Sequence, residues 1–273
     1  MRLRCFGLAV FLSALALCGM SGSLAHAAAS VYLEELTTAE VQSALRAGST
    51  TLIVPVGGTE QNGPHMALGK HNARVRSLAG KIAATLGNAL VAPVLSYVPE
   101  GSIAPPLGHM RYAGTISVPE AAFKSVLAGA ARSLRQHGFM DIVLIGDSGN
   151  YQTQLREVAA QLNREWAGQP ARVHYIADYY RATQTRYPQA LRAKGLSETQ
   201  IGVHAGSADT SLLMATEPSL VRPGQFDAAA LGAPANGVDG DPRASSAALG
   251  QLGVDVIVEQ AVSAIRKAIG ARR

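Results

Sequence analysis

The sequence has little cysteine, few aromatic side chains and few charged ones. Among its 273 residues, two are cysteines, 5% are aromatic and 16% are charged. Cys5 and Cys18 both lie near the amino terminus, so the rest of the chain offers no disulfide, thiolate metal site or thiol nucleophile. The formal net charge is only +5, and basic residues gather only at 271–273. This pattern excludes a typical nucleic-acid-binding protein, which carries Lys and Arg clustered on one face.

The amino terminus has the pattern of a signal peptide over residues 1–27. Two arginines precede the apolar run Phe6–Met20, and Ala25-His26-Ala27 supplies the small-x-small pattern of a cleavage site. The run is short for a transmembrane helix. We therefore expect cleavage near Ala27 or Ala28, no membrane attachment afterwards, and a periplasmic or secreted protein. Cleavage would remove two arginines and lower the net charge accordingly.

Residues 28–273 alternate short apolar runs with helical patterns. Strands are predicted at 51–56, 89–95, 141–145 and 171–176. Helices are predicted from the capping box Thr37-x-x-Glu40 to Gly48, then over 74–86, 119–138, 151–166, 210–216 and 245–269, the last with a break at Gly250 and Gly253. Alternation of this kind predicts one α/β domain, a three-layer α/β/α sandwich with a mostly parallel sheet.

Two polar, glycine-rich loops follow predicted strands. Thr59–Asn72 follows the first strand and Gly146–Asn150 follows the third. In open parallel sheets, ligands bind beyond the carboxyl ends of the strands. We therefore expect both loops to line one site.

The first loop carries Glu60, Asn62, His65 and His71. Carboxylate and imidazole are common ligands of zinc and manganese, and short spacings let one loop present several of them. The alternative is structural, with Glu60 capping a backbone amide, His65 packing after its proline and His71 capping the next helix.

The second loop contains Asp147, Ser148 and Asn150 in a Gly-Asp-Ser-Gly context. One interpretation makes Ser148 a nucleophile, with His204 as its base and Asp209 orienting that base. The other makes this segment a tight turn in which Asp147 or Ser148 caps the following helix.

Three further candidates lie outside these loops. His204 follows a valine in a small-residue segment, where it is either a general acid or base or a buried, satisfied imidazole. His109 and Arg111 lie in a long proline-rich segment, where they either line a pocket or face solvent.

Four motifs resemble those of the creatininase family of metal-dependent amidohydrolases. In chain order, PVGGTEQNGPH (55–65) resembles the family's PVGSxEQHGPH, HMRYAGT (109–115) resembles HxxFPGT, LIGDSGN (144–150) resembles the NGHGGN turn, and HAGSADTS (204–211) resembles HAGxxETS. The resemblance spans almost the whole mature chain and implies the family's α/β/α fold.

The resemblance also implies a two-metal site whose ligands this chain alters. Of the family's positions, the glutamate is kept as Glu60, the next histidine becomes Asn62, and the bridging aspartate becomes His71. The histidine and acid of the NGHGGN turn become Ser148 and Asn150, whereas the catalytic histidine remains as His204 and its following glutamate becomes Asp209. With one aligned carboxylate, two divalent ions would leave most of their charge uncompensated.

The sequence therefore predicts a hydrolase of an amide-type C–N bond with one zinc or manganese ion. We expect Glu60, His71 and Asp147 as metal ligands. His204 is the predicted proton shuttle, with Asp209 and, in the serine hypothesis, Ser148 as catalytic residues. Asn62, His65, His109, Arg111 and Asn150 are the predicted contacts to a small-molecule substrate. The rival hypotheses are a periplasmic small-molecule-binding protein without catalysis and a serine hydrolase, and a homo-oligomer is compatible with either.

Overall fold

The computed structural model describes residues 30–271, and the predicted signal peptide lies outside them. Four parallel strands form one sheet in the order β2-β1-β3-β4. The strands are β1 (Thr51–Val56), β2 (Ala89–Val91), β3 (Asp141–Gly146) and β4 (Arg172–Tyr175). Every residue of β1 and β3 is buried, as expected for central strands covered on both faces.

Ten helices connect and cover these strands in the described part of the chain. They are α1 (Thr38–Arg46), α2 (Lys70–Leu86), α3 (Glu120–Gln136), α4 (Gln152–Glu165), α5 (Ala177–Gln184), α6 (Arg186–Ala193), α7 (Glu198–Ile201), α8 (Ser207–Thr216), α9 (Phe226–Gly232) and α10 (Ala247–Gly270). The predicted capping box opens α1, since Thr37 N–H donates to Glu40 and Glu40 N–H donates to Thr37 Oγ1.

Alternating residues of the strands face two separate hydrophobic cores, one on each side of the sheet. Leu52, Ile142 and Leu144 face α3 and α4, whereas Ile53 and Val143 face α2, α5 and α10. Helices therefore cover both faces of the parallel sheet, which confirms the predicted three-layer α/β/α sandwich.

The helix after the first polar loop begins earlier than predicted. The sequence suggested a start near Arg74, but α2 begins at Lys70, so His71 lies in its first turn and not in the loop. Lys70 and Arg74, four residues apart, share one helix face. This shift matters because α2 points its amino terminus at the strand ends where the candidate site lies.

The last helix is unbroken, contrary to the break expected at Gly250 and Gly253. A Cβ on Gly250 would lie 1.8 Å from the carbonyl oxygen of Ser211 in α8. The glycine is thus needed for close approach of α10 to α8 and not as a helix terminator. By length and composition α10 could cross a membrane, but in this fold it packs against α2, α5, α6 and α8.

Candidate functional site

The predicted polar loops meet at the carboxyl edge of the sheet. Glu60 follows β1, Asp147 follows β3, and the first turn of α2 lies between them. A cavity of about 330 Å³ opens over this edge. The residues around it include Glu60, Lys70, His71, Arg74, His109, Asp147, Ser148, Asn150, Tyr180, His204 and Asp209.

The predicted metal ligands Glu60, His71 and Asp147 do come together, but they bond directly to one another. His71 Nε2–H donates to Glu60 Oε1 at 2.7 Å, and His71 Nδ1–H donates to Asp147 Oδ2 at 2.6 Å. Both ring nitrogens therefore carry protons. Burial and the neighbouring Lys70 oppose the charge, yet Glu60 and Asp147 raise the pKa of His71 above its usual value. A ring that bonds to an ionised carboxylate through each nitrogen is an imidazolium. An imidazolium has no lone pair to offer a metal ion.

Two further buried cations complete this cluster. Arg74 Nε donates to Asp147 Oδ2 and its Nη1 to Asp209 Oδ1, both at 2.7 Å. Lys70 Nζ lies 3.1 Å from Asp209 Oδ2 and 3.4 Å from Glu60 Oε1. The side chains of Lys70 and Arg74 are only 1% and 3% exposed. The sequence analysis missed both, because it placed the start of the helix at Arg74.

The three carboxylates of the cluster are ionised. Burial would raise the pKa of Asp147 and of Asp209, but Arg74 holds the first below its usual value and Lys70 with Arg74 holds the second well below it. Burial likewise opposes ionisation of Glu60, yet His71 and Lys70 hold its pKa well below the usual range. Lys70, His71 and Arg74 thus balance Glu60, Asp147 and Asp209. We call these six residues the ionic cluster.

A different set of side chains has the spacing of metal ligands. Glu60, His109 and His204 each offer an atom within 4.8 Å of the other two. Glu60 Oε2 lies 3.5 Å from His109 Nε2, and Glu60 Oε1 lies 3.8 Å from His204 Nδ1. Ligands of a tetrahedral zinc ion with its usual bond lengths are separated by about 3.3–3.6 Å. The first distance falls within this range and the second exceeds it slightly. We call these three residues the cavity triad.

Gln61 orients the two imidazoles of the triad. His204 Nε2 lies 3.0 Å from the carbonyl oxygen of Gln61, so it carries the proton and leaves the Nδ1 lone pair facing Glu60. Gln61 Nε2 lies 3.0 Å from His109 Nδ1, while its Oε1 accepts from Gly63 N–H. Without an ion, this places the His109 proton on Nε2, directed at Glu60. Holding an ion through Nε2 would require that proton to move to Nδ1 and the Gln61 amide nitrogen to turn away from Nδ1.

Burial keeps both imidazoles neutral. It lowers the pKa of His204 to about 4, with Lys70 adding to the effect, and it also lowers the pKa of His109. Neutral imidazole is the form that binds metal ions.

Several predicted contacts lie away from the cavity. Asn62 is buried, and its Nδ2 donates to the carbonyl oxygens of Glu60 and Ala67. His65 is fully buried and bonds through Nε2 to Thr210 Oγ1 at 2.9 Å. Arg111 is exposed and donates to the carbonyl oxygen of Gly108. None of the three lines the cavity, so this structure supports structural roles for Asn62 and His65 and a solvent-facing one for Arg111.

Ser148 and Asn150 line the cavity without forming a nucleophile site. Ser148 Oγ accepts from Asn150 N–H at 3.4 Å, and within residues 30–271 no hydrogen bond joins it to His204. Asp209, the predicted orienter of His204, bonds instead to Lys70, Arg74 and the Ala205 N–H. The Ser148-His204-Asp209 arrangement is therefore not assembled.

Glu100 is a buried acid that the sequence analysis missed, since it stands alone in the proline-rich segment. Its Oε2 accepts from Asn150 Nδ2 at 2.6 Å, whereas its Oε1 has no hydrogen-bond partner. Burial, reinforced by the charge of Glu60, raises the pKa of Glu100 to about 8. A carboxyl group from the segment after β2 thus contacts the position where the family's acid has become Asn150.

Comparisons with known proteins agree with the motifs. The family model for creatininase, creatinine amidohydrolase, matches residues 34–265. Creatinine amidohydrolase of Pseudomonas putida is 29% identical over 197 residues, which cover 70% of this chain and 74% of that enzyme. A mycofactocin precursor peptide peptidase of Mycolicibacterium smegmatis is 30% identical over 113 residues, or 40% of this chain and 43% of the peptidase.

Solved structures with the same fold carry metal ions or a small molecule. A structure described as creatininase Mn aligns with a TM-score of 0.71 and 25% identity, covering 88% of this chain and 99% of that one. A mutant creatininase of Zn-Zn type aligns with a TM-score of 0.71 and 27% identity, and the alignment covers 88% of this chain and 99% of that one. A mutant creatininase complexed with creatine aligns with a TM-score of 0.70, 27% identity and again the same shares.

Proposed function

This chain belongs to the creatininase family of hydrolases, and from that premise we propose that it hydrolyses an amide-type carbon–nitrogen bond of a small molecule in the cavity. The observation that carries the proposal is the cavity triad, in which one carboxylate and two imidazoles each offer an atom within 4.8 Å of the other two. One acid with two histidines is a common ligand set of catalytic zinc sites.

We further propose that the triad holds one zinc or manganese ion, in place of the predicted set Glu60, His71 and Asp147. Glu60 belongs to both sets, while His109 and His204 replace His71 and Asp147, whose atoms are already joined by hydrogen bonds. When bound, such an ion supplies a Lewis acid that polarises a carbonyl group.

The remaining residues position the substrate and stabilise charge. Lys70 directs its ammonium group at Asp209 and Glu60, which leaves one N–H of three for the cavity that it lines. We assign this donor to the substrate oxygen on which negative charge develops. His204 Nδ1 cannot hold an ion and accept a proton at once, so in this proposal His204 is a ligand and not the predicted proton shuttle.

Replacing His109 with alanine tests the ion and the activity together. We expect the variant to lose the bound ion and to lower turnover of small cyclic and linear amides by more than about 100-fold, because it removes one of three ligands. Metal analysis of tag-free protein and product detection are the measurements. His137→Ala, an exposed imidazole outside the cavity, is the matched control. A His109→Ala protein that keeps both its ion and its turnover would contradict the proposal.

The serine-hydrolase alternative makes a separate prediction. Because no base contacts Ser148 Oγ in the described chain, we expect a fluorophosphonate probe to leave Ser148 unlabelled under conditions that label a serine esterase completely. Mass spectrometry of the peptide that contains Ser148 checks this. Stoichiometric labelling there, abolished in Ser148→Ala, would restore the serine mechanism.

The ionic cluster favours a second candidate function, small-molecule binding without turnover. Its charges are satisfied within the protein, so the fold is complete before any ligand arrives. This candidate predicts that an amide stabilises the protein thermally while no product forms, with or without added metal.

We also propose that the mature protein is periplasmic or secreted and takes only a small-molecule substrate, as a monomer or a homo-oligomer. The signal-peptide pattern of residues 1–27 supports export. Amino-terminal sequencing of protein from the periplasm or medium checks it, and an uncleaved cytoplasmic protein would contradict it.

A further inference from the structure

The family positions implied by the resemblance do not fit a two-metal centre in this chain. Of the five aligned positions, only Glu60 has the same residue as the family, and its Oε1 is bonded to the His71 imidazolium. Asn62 directs its amide nitrogen at two backbone carbonyls. Asn150 is bonded to Glu100, and Ser148 offers only a neutral hydroxyl.

Protein cations fill the space between the carboxylates instead. The imidazolium of His71 lies between Glu60 and Asp147, and the guanidinium of Arg74 lies between Asp147 and Asp209. The ammonium of Lys70 lies between Asp209 and Glu60. Each carboxylate thus contacts two cations and each cation contacts two carboxylates, so the ring of six is closed.

We infer that Lys70, His71 and Arg74 replace the metal ions of the family's two-metal centre, so that the ionic cluster binds no ion and the fold of this chain does not depend on metal. Both cation contacts of Glu60 are made through Oε1, which leaves Oε2 facing His109 of the cavity triad. A divalent ion placed inside the ring, between its three carboxylates, would add two charges to a neutral and largely buried set. The inference rests on the proposed function at one point, namely that any ion which the protein binds is held by the cavity triad.

A variant without the triad imidazoles separates the two claims. The His109→Ala, His204→Ala double variant retains all six residues of the ionic cluster. After exposure to excess zinc and buffer exchange, we expect it to hold no ion. We also expect its melting temperature to change by less than about 2 °C when a chelator is added, since no ion stabilises the folded state. A retained ion, or a larger fall in melting temperature on chelation, would overturn the inference.

Removing one protein cation gives a second, independent measurement. Lys70→Met leaves Glu60 and Asp209 with fewer partners in a buried site, and we expect it to lower the melting temperature by about 10 °C in metal-free buffer. Lys124→Met, which removes an exposed ammonium paired with Glu157, is the matched control and should change it by less than about 2 °C. An equally small effect at Lys70 would show that this ammonium does not act as the resident cation.

Failure of the proposed function has a different signature. If the wild-type protein takes up no ion and hydrolyses no amide, the triad proposal fails while the ionic cluster remains as inferred. If the wild-type protein takes up two ions, the inference fails whatever the activity.

Discussion

Replacing Arg74 with methionine is expected to lower the free energy of unfolding by about 3–5 kcal/mol, as removal of one partner of a buried ion pair does. Arg74 donates to both Asp147 and Asp209, and its side chain is almost completely buried. Methionine fills similar volume but leaves both carboxylates without their shared cation. Urea denaturation of the two proteins in chelator measures the difference.

Arg132→Met is the matched control for Arg74. Arg132 makes a comparable ion pair with Glu165, but both side chains are exposed. Solvent screens such an exposed pair, so Arg132→Met should change the free energy of unfolding very little. A loss of less than about 1 kcal/mol at Arg74 would show that Arg74 is not the shared cation of Asp147 and Asp209 in the folded protein.

Glu100→Gln is expected to stabilise the protein at alkaline pH and to do little near pH 4. Burial raises the pKa of Glu100 from 4.5 to about 8 in the folded protein. Below pH 4.5 the carboxyl group is protonated in both states. Between those two pKa values only the unfolded chain releases the proton, so stability falls as pH rises. Above pH 8 the loss of stability is complete, at about 5 kcal/mol from the size of the pKa shift.

Glutamine stays neutral and keeps an oxygen to accept from Asn150, so the variant should lack this pH-dependent loss. Unfolding free energies at pH 5 and pH 8.5, in chelator so that only protein charges act on Glu100, measure it. Glu157→Gln alters an exposed acid and should shift both values equally. If Glu100→Gln also shifted the unfolding free energy equally at pH 5 and pH 8.5, Glu100 would have to be ionised in the folded protein.

The central strands were predictable because their sequences satisfy one simple requirement. The run 51–56 is mostly apolar and rich in β-branched residues, which suits a strand buried on both faces, and β1 covers the same residues. β2 is shorter than predicted, since only three residues pair in register and Leu95 contributes an isolated bridge to Val56. An apolar run alone does not reveal where a neighbouring strand stops pairing.

The short helices α5, α6, α7 and α9 were missed, because each is stabilised by packing more than by a long periodic pattern. The tyrosines show this, since Tyr179 in α5 and Tyr187 in α6 are fully buried in the core beneath α10. Sequence spacing in an eight-residue helix carries too little periodicity to reveal such contacts.

The site was predictable in its location but not in its chemistry. The rule for parallel sheets brought Glu60, His71 and Asp147 together correctly. The composition of the ionic cluster depended on Lys70 and Arg74. Their place beside the predicted ligands could be inferred only once α2 was known to begin at Lys70. Lys70, His71 and Arg74 lie within little more than one turn at the start of α2, and this run of basic residues beside the predicted ligands is the sequence signal for protein cations in place of metal.

The most direct test of the account is the position of zinc in crystals of the protein grown or soaked with the ion. Anomalous scattering at the zinc edge should show one peak per chain, between Glu60, His109 and His204, with His71 still bonded to Asp147. A peak beside Asp147 with His71 displaced, or two peaks per chain, would contradict both the triad and the closed ionic cluster.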